Sequence, residues 1–269
     1  MRRLLLALAL VAGWAAAARA DGAAQPRRLY VRAGAAHIAP LESSREMELS
    51  EVDGPASLSL ENGPIDGSGA TVSSATVPAL IVGYVLPWQD GKLSVETVIG
   101  LPFDVEFQTS GTLATESIAP TALGLPTGVG PLGPEFGKAK VAPIVATAIY
   151  RLPGLARLTP VAGGGAAVMF TFDERVTNPM LTEVGEPDFS VEPAPGLVLQ
   201  GGLEGRITDR IFARLDVKFI AFMLARAKVE HIEVRTPGLP LFESVEVGTA
   251  KMNVWVNPLI IQAGVGADF

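Results

Sequence analysis

From Ile211 to Met223 every second residue is apolar (Ile211, Ala213, Leu215, Val217, Phe219, Ala221, Met223), and Arg214, Asp216 and Lys218 hold alternate positions. A period of two belongs to a β-strand with two unlike faces, because successive side chains leave a strand on opposite sides. An α-helix would turn those charges onto its apolar face within one turn. Residues 196–207 repeat the pattern, with Leu197, Leu199 and Leu203 set against Gln200, Glu204 and Arg206. Residues 92–105 set Val95, Thr97, Ile99 and Leu101 against Ser94, Glu96 and Val98. The last segment alternates through Leu259, Ile261, Ala263, Val265 and Ala267 to a terminal Phe269, which leaves Gln262 and Asp268 on the other parity.

Strands of this kind either bury their apolar face in a soluble core or turn it toward lipid. The chain is 48% apolar, yet past residue 20 it never offers the ~18 successive apolar residues of a membrane helix. A crossing by strands requires a closed barrel, since lipid offers no partner to an open sheet edge. The first 20 residues read as a secretory signal peptide. Arg2 and Arg3 precede an apolar stretch over residues 4–17, and Ala18-Arg19-Ala20 supplies small residues before a cut between Ala20 and Asp21. Residues 21–269 would then be the exported barrel. Without Arg2, Arg3 and Arg19, 28 acidic residues face 18 basic ones, a formal charge of about −10 that argues against a nucleic-acid partner. The absence of cysteine excludes disulfides, thiolate metal sites and cysteine nucleophiles.

Eight strands are predicted near residues 28–38, 76–86, 92–105, 139–151, 158–172, 196–207, 211–230 and 249–269. The connections alternate long and short along the chain. The short ones carry turn chemistry in Pro87-Trp88-Gln89-Asp90-Gly91, Pro153-Gly154 and Thr208-Asp209. The long ones cover residues 39–75, 106–138, 173–195 and 231–248 and are rich in Gly, Pro, Ser, Thr and Glu. That parity places every long connection at one end. The expected fold is therefore an all-β, eight-stranded antiparallel up-and-down transmembrane barrel with long extracellular loops and short periplasmic turns.

A charge facing mid-bilayer lipid costs about 2–4 kcal/mol, so the charged parity points into the lumen. Glu204, Arg206, Arg214, Asp216 and Lys218 are expected inside, together with Arg32 and Glu96 and with Gln262 and Asp268 from the last strand. They form either a barrier within a pore or, as the favoured reading, opposite charges that pair and plug an interior barely wider than its own side chains. Trp88 is expected at the periplasmic interface, with Phe222 and Trp255 at the opposite rim. Phe269, closing an alternating apolar strand, is similar to the signal that barrel assembly machinery reads in unfolded outer-membrane proteins.

The segments so placed resemble the outer membrane protein W (OmpW) family, in order and in spacing. The residues that carry this are VRAG (31–34) followed by Pro40, LPF (101–103), VAPIVATAIY (141–150), TPVAGGGAAV (159–168) and VNPLIIQAGVGADF (256–269). The chain departs from the family pattern in its long first loop, in Ala142-Pro143 where a double proline is usual, and in the Gly163–Gly165 triplet with fewer aromatics. The resemblance implies an outer-membrane barrel that passively admits small hydrophobic molecules through an apolar funnel opening sideways into the bilayer. Ile144, Ala146, Val161 and Val254 are the expected apolar lumen positions. Expected partners are outer-membrane lipid and lipopolysaccharide, apolar solutes, and chaperones and assembly machinery during biogenesis, with the barrel itself a monomer. The alternative is a closed structural barrel whose loops bind a surface partner.

Catalysis is not expected, and neither is a cofactor or a metal. A lipid-modifying barrel would need His, Ser and a carboxylate together at its rim, and no matching motif surrounds His37 or His231, the two histidines of the chain. The acidic first loop, with Glu42, Glu46, Glu48, Glu51 and Asp53, could bind cations, but a solvated loop is the plainer expectation.

Overall fold

A computed structural model describes residues 28–154, 157–239 and 241–269; the expected signal peptide and its expected cleavage point lie outside them. Eight antiparallel strands close on themselves: β1 (Leu29–Ala39), β2 (Ala75–Val85), β3 (Leu93–Gly100), β4 (Glu135–Arg151), β5 (Leu158–Val176), β6 (Ala194–Arg206), β7 (Ile211–Ala221) and β8 (Leu259–Asp268). Each pairs with its neighbour in sequence, and β8 pairs with β1 from Tyr30↔Asp268 to Ala39↔Leu259. Closure leaves no free edge at the periplasmic end, and the Phe269 N–H completes it by donating to the Leu29 carbonyl at 2.7 Å.

The outward parity carries the lipid-facing band. Leu197, Leu199, Leu215, Ile261 and Val265 are all exposed, and Glu204, Arg214, Asp216, Lys218 and Gln262 on the alternate parity of the same strands are buried. Phe269 is exposed on the outward parity and Asp268 is turned inward. Trp88 is exposed in the turn between β2 and β3. No helix among the described residues is long and apolar enough to cross a membrane.

The long connections are not loops in the expected sense. Strands Leu224–Arg235 and Ser244–Val256 carry β7 and β8 beyond the barrel as a hairpin. Asp188–Val191 pairs along one edge of the hairpin, and Glu42–Ser44 and Glu48–Ser50 along the other. Phe103–Gly111 carries β3 upward against the top of β4 and is flanked by Ser68–Val72. These strands share a core of their own. Phe189 meets Phe107 and Phe136 edge to face, at centroid separations of 5.3 and 5.6 Å, among Leu49, Val229 and Met252.

The acidic first connection is likewise ordered rather than merely solvated. Glu42 and Glu46 accept the Val72 and Gly67 N–H groups at 2.6 and 2.9 Å, and Glu51 accepts the Thr249 hydroxyl at 2.6 Å. Burial holds the Glu42 carboxyl above its ordinary value, opposed by the Val72 N–H. The Thr249 hydroxyl holds Glu51 below its own.

Two expected long strands are interrupted where they leave the barrel. The backbone at Phe222 turns left-handed (φ 62°), so the parity reverses. Phe222 is exposed and Met223 is buried, where uninterrupted alternation would have turned Met223 to lipid. The last strand breaks at Asn257-Pro258, because proline cannot donate to the ladder.

Candidate functional site

The lumen has a charged floor and an apolar chamber. In the periplasmic half, Arg32, Glu96, Glu204, Arg214, Asp216, Lys218 and Gln262 are all at most 4% exposed. Arg214 lies at the centre, its Nε 2.8 Å from Asp216 Oδ1 and its Nη1 2.8 Å from Glu96 Oε1. Arg32 holds the other oxygen of Asp216, and Gln200 Nε2 donates to Asp216 Oδ1 at 3.1 Å. Arg151 closes the lower side on Glu204 at 3.4 Å, and Arg206 pairs with Asp268 at the rim. Removing several ions from water costs several kcal/mol each, and here the cost is offset by mutual pairing.

Two aromatic residues wedge the network. Tyr30 donates its hydroxyl to Glu96 Oε1 at 2.6 Å and stands edge-on to Phe212 with centroids 5.9 Å apart. Each ring lies over a cross-strand glycine. A Cβ at Gly83 would fall 2.1 Å from Tyr30 Cζ, and one at Gly266 would fall 2.4 Å from Phe212 Cζ. Only glycine admits the rings into so narrow an interior. Tyr30 and Arg151 were not among the expected lumen residues, although the parity that carries Arg32 also carries Tyr30.

Above the floor the same parity becomes apolar. Ala36, Ala79, Val98, Val145, Ile220 and Ile260 line a chamber with about 740 Å³ of empty space, part of it open to the outside. Lys218 and Gln262 form its base. The expected apolar positions need correction here. Ile144 and Ala146 are exposed on the outside of β4, and the chamber is lined instead by their neighbours Val141, Pro143 and Val145. Val161 points inward but low, opposite Arg151. Val254 is buried one level higher, in the core of the extracellular sheet.

The chamber wall is incomplete on one side. Pairing of β2 with β3 ends at Ala79↔Gly100, so residues 75–78 pair with β1 alone. On the facing strand, β4 pairs with β3 up to Val145↔Val98 and resumes with the next strand at Val141↔Phe103, leaving residues 142–144 without a partner there. Pro78, Pro102 and Pro143 surround this break, and a proline has no N–H to give a ladder. Leu101 lines the chamber and is also 69% exposed, so the cavity reaches the outer surface of the barrel at this point.

Among the described residues neither histidine stands in a catalytic constellation. His37 Nδ1 lies 2.9 Å from Thr76 Oγ1, and His231 Nδ1 lies 3.1 Å from Asp188 Oδ2, both at exposed positions. Among the described residues no group of three or more histidines and carboxylates is placed to hold a metal ion.

The OmpW family model matches residues 26–269. Among solved structures, the outer membrane protein OprG from Pseudomonas aeruginosa superposes with a TM-score of 0.66 at 20% identity, covering 90% of this chain and 96% of that one. The outer membrane protein AlkL, in its structure in lipid bilayers, gives a TM-score of 0.51 at 18% identity, covering 93% and 94%. At these identities the two structures speak to the fold alone. No curated protein matches the chain.

Proposed function

The chain belongs to the OmpW family of outer-membrane barrels, and from that premise we propose that it passively admits small hydrophobic molecules, releasing them sideways into the bilayer. The observation that supports this is the apolar chamber standing on a polar floor, with a break in its wall beside the exposed Leu101. A solute in the chamber cannot continue downward without separating Arg214 from Glu96 and Asp216, whereas the route past Leu101 and Gly100 meets only apolar surface. Apolar solutes need such a route because the charged outer leaflet obstructs them and water-filled pores do not favour them.

On this reading no bond is made or broken, and the partners are the solute and the surrounding lipid and lipopolysaccharide. The chain is exported by a cleaved signal peptide and acts as a monomer; periplasmic chaperones escort it in biogenesis, and the assembly machinery reads Phe269.

Gly100 supplies the test. A Cβ placed there meets nothing within 4 Å, so Gly100→Phe fills the mouth of the chamber without a backbone clash. Uptake of an apolar dye would be followed in vesicles whose outer leaflet is lipopolysaccharide. The wild-type barrel is expected to exceed empty vesicles, and Gly100→Phe to return to their level. Wild-type uptake no greater than that of empty vesicles would sink the proposal.

A further inference from the structure

The base of the chamber is not apolar, and its cation rests on a neutral amide. Lys218 is 2% exposed and lines the cavity. Its Nζ donates to Gln200 Oε1 at 2.7 Å, and among the described residues no carboxylate forms an ion pair with it. The nearby carboxylates hold other groups: Asp216 holds Arg32 and Arg214, Glu204 holds Arg151, and Glu96 holds Arg214 and Tyr30 through Oε1, with Oε2 buried and unpartnered. Beside it stands Gln262, 2% exposed, whose carbonyl oxygen faces Arg32 (3.5 Å) and whose amide nitrogen is a second donor at the chamber base. A buried ammonium is costly unless paired, and a neutral amide oxygen compensates it only in part.

We propose that the chamber is a site for an apolar chain ending in a single carboxylate, seated head down, with the carboxylate on Lys218 and Gln262 and the chain among Ala36, Ala79, Val98 and Ile260. This rests on the reading of the chamber as the solute site and narrows the solute class. The charges favour one monoanionic head, because Lys218 is the one charged side chain lining the chamber and the arginines of the floor do not reach it. A plain hydrocarbon would leave the ammonium as it stands, and a cationic head would be repelled. The chain direction follows from the wall: donors lie only at the base, while the break at Leu101 and the sides are apolar.

The experiment compares decanoate with methyl decanoate, which share a chain and differ in head charge. Binding of each would be measured to the full-length barrel in lipid nanodiscs, with empty nanodiscs subtracted. The wild type is expected to hold decanoate at least about tenfold more tightly than the ester, the scale of a hydrogen bond to a charged group. Lys218→Met should bring that ratio to about one, and Lys218→Arg should restore most of it. Should Lys218→Met fail to show the gel mobility of a folded barrel, the wild-type ratio and the Gln262→Leu variant, expected to lower it, carry the test. Equal binding of acid and ester by the wild type would overturn the carboxylate site and leave apolar passage standing. Binding of neither would overturn both.

Discussion

The lumen below Gln262 and the lumen above it are built by the same parity of the same strands, yet one half is packed with ions and the other is lined by hydrocarbon. In β7 the inward series runs Arg214, Asp216, Lys218 and then Ile220; in β8 it runs Gln262 and then Ile260; in β3, Glu96 and then Val98. The pairing register sets Lys218 beside Ile260 and Asp216 beside Gln262, so on these neighbouring strands the change falls within one inward step. A barrel of this width can be closed by filling it with side chains, and its floor is. Leaving alanine and glycine at Ala36, Ala79 and Gly100 has the opposite effect higher up, so one set of strands supplies both a seal and a cavity.

The strongest way to break this contrast is to remove the seal. Asp216→Ala takes the acceptor from Arg32, Arg214 and Gln200 at once. Stranding buried guanidinium groups costs on the order of 3–5 kcal/mol. Urea unfolding in lipid vesicles should show the loss, and single-channel recordings should show ion conductance above that of the wild type. A variant that stayed non-conducting would mean that the floor is not what closes the barrel.

A smaller effect separates packed from unpacked glycine positions on the inward face. Gly83→Val drives a side chain into Tyr30 and should destabilise by about 1–3 kcal/mol, the range of overpacking in a filled core. Gly100→Val, with nothing within 4 Å of its Cβ, should change stability by no more than about 0.5 kcal/mol. If the two cost the same, the halves do not differ in packing as described.

The same contrast explains what could be read from the residues alone. In the lower half the inside is charged and the outside apolar, so period two announces both the strand and its facing. Arg214, Asp216, Lys218, Glu204 and Gln262 are placed by that signal. In the upper half both faces are apolar and the signal vanishes where the chamber begins. Along β4, Ile144 and Ala146 outside and Val145 and Thr147 inside offer little polarity difference, which is why the facing of Ile144 and Ala146 came out reversed. Met223 was misplaced for another reason. A left-handed residue at Phe222 reverses parity, and phenylalanine gives no local warning of that conformation. The extracellular sheet was hidden because its strands at 42–44, 48–50 and 188–191 are too short to establish any period.

The break in the chamber wall can be sharpened by restoring donors to it. Pro78→Val with Pro102→Val returns two N–H groups beside Leu101. At about 0.5–1.5 kcal/mol per hydrogen bond formed, dye uptake should slow severalfold. Uptake at the wild-type rate would show that the prolines do not hold the wall apart.

The mildest expected effect lies outside the membrane, and it asks whether the extracellular sheet titrates apart from the barrel. Glu51 accepts the Thr249 hydroxyl at the edge of that sheet, and the bond holds its carboxyl below the ordinary value of 4.5. A carboxylate with a lowered folded value contributes stability that is present above its unfolded value and is lost as the pH falls through the folded one. The contribution is therefore complete near neutrality and disappears only in acid. Thr249→Val removes the donor, so the Glu51 carboxyl carbon should titrate in NMR at a higher midpoint than in the wild type. Amide signals of Leu49 and Ala250, paired across this edge, should follow the same titration in the wild type and lose it in the variant. Signals from Leu215 and Ala263, paired within the barrel wall, should not move with it. If they did, the sheet and the barrel would respond as one unit, and the division between a sealed barrel and a separately packed extracellular layer would fail.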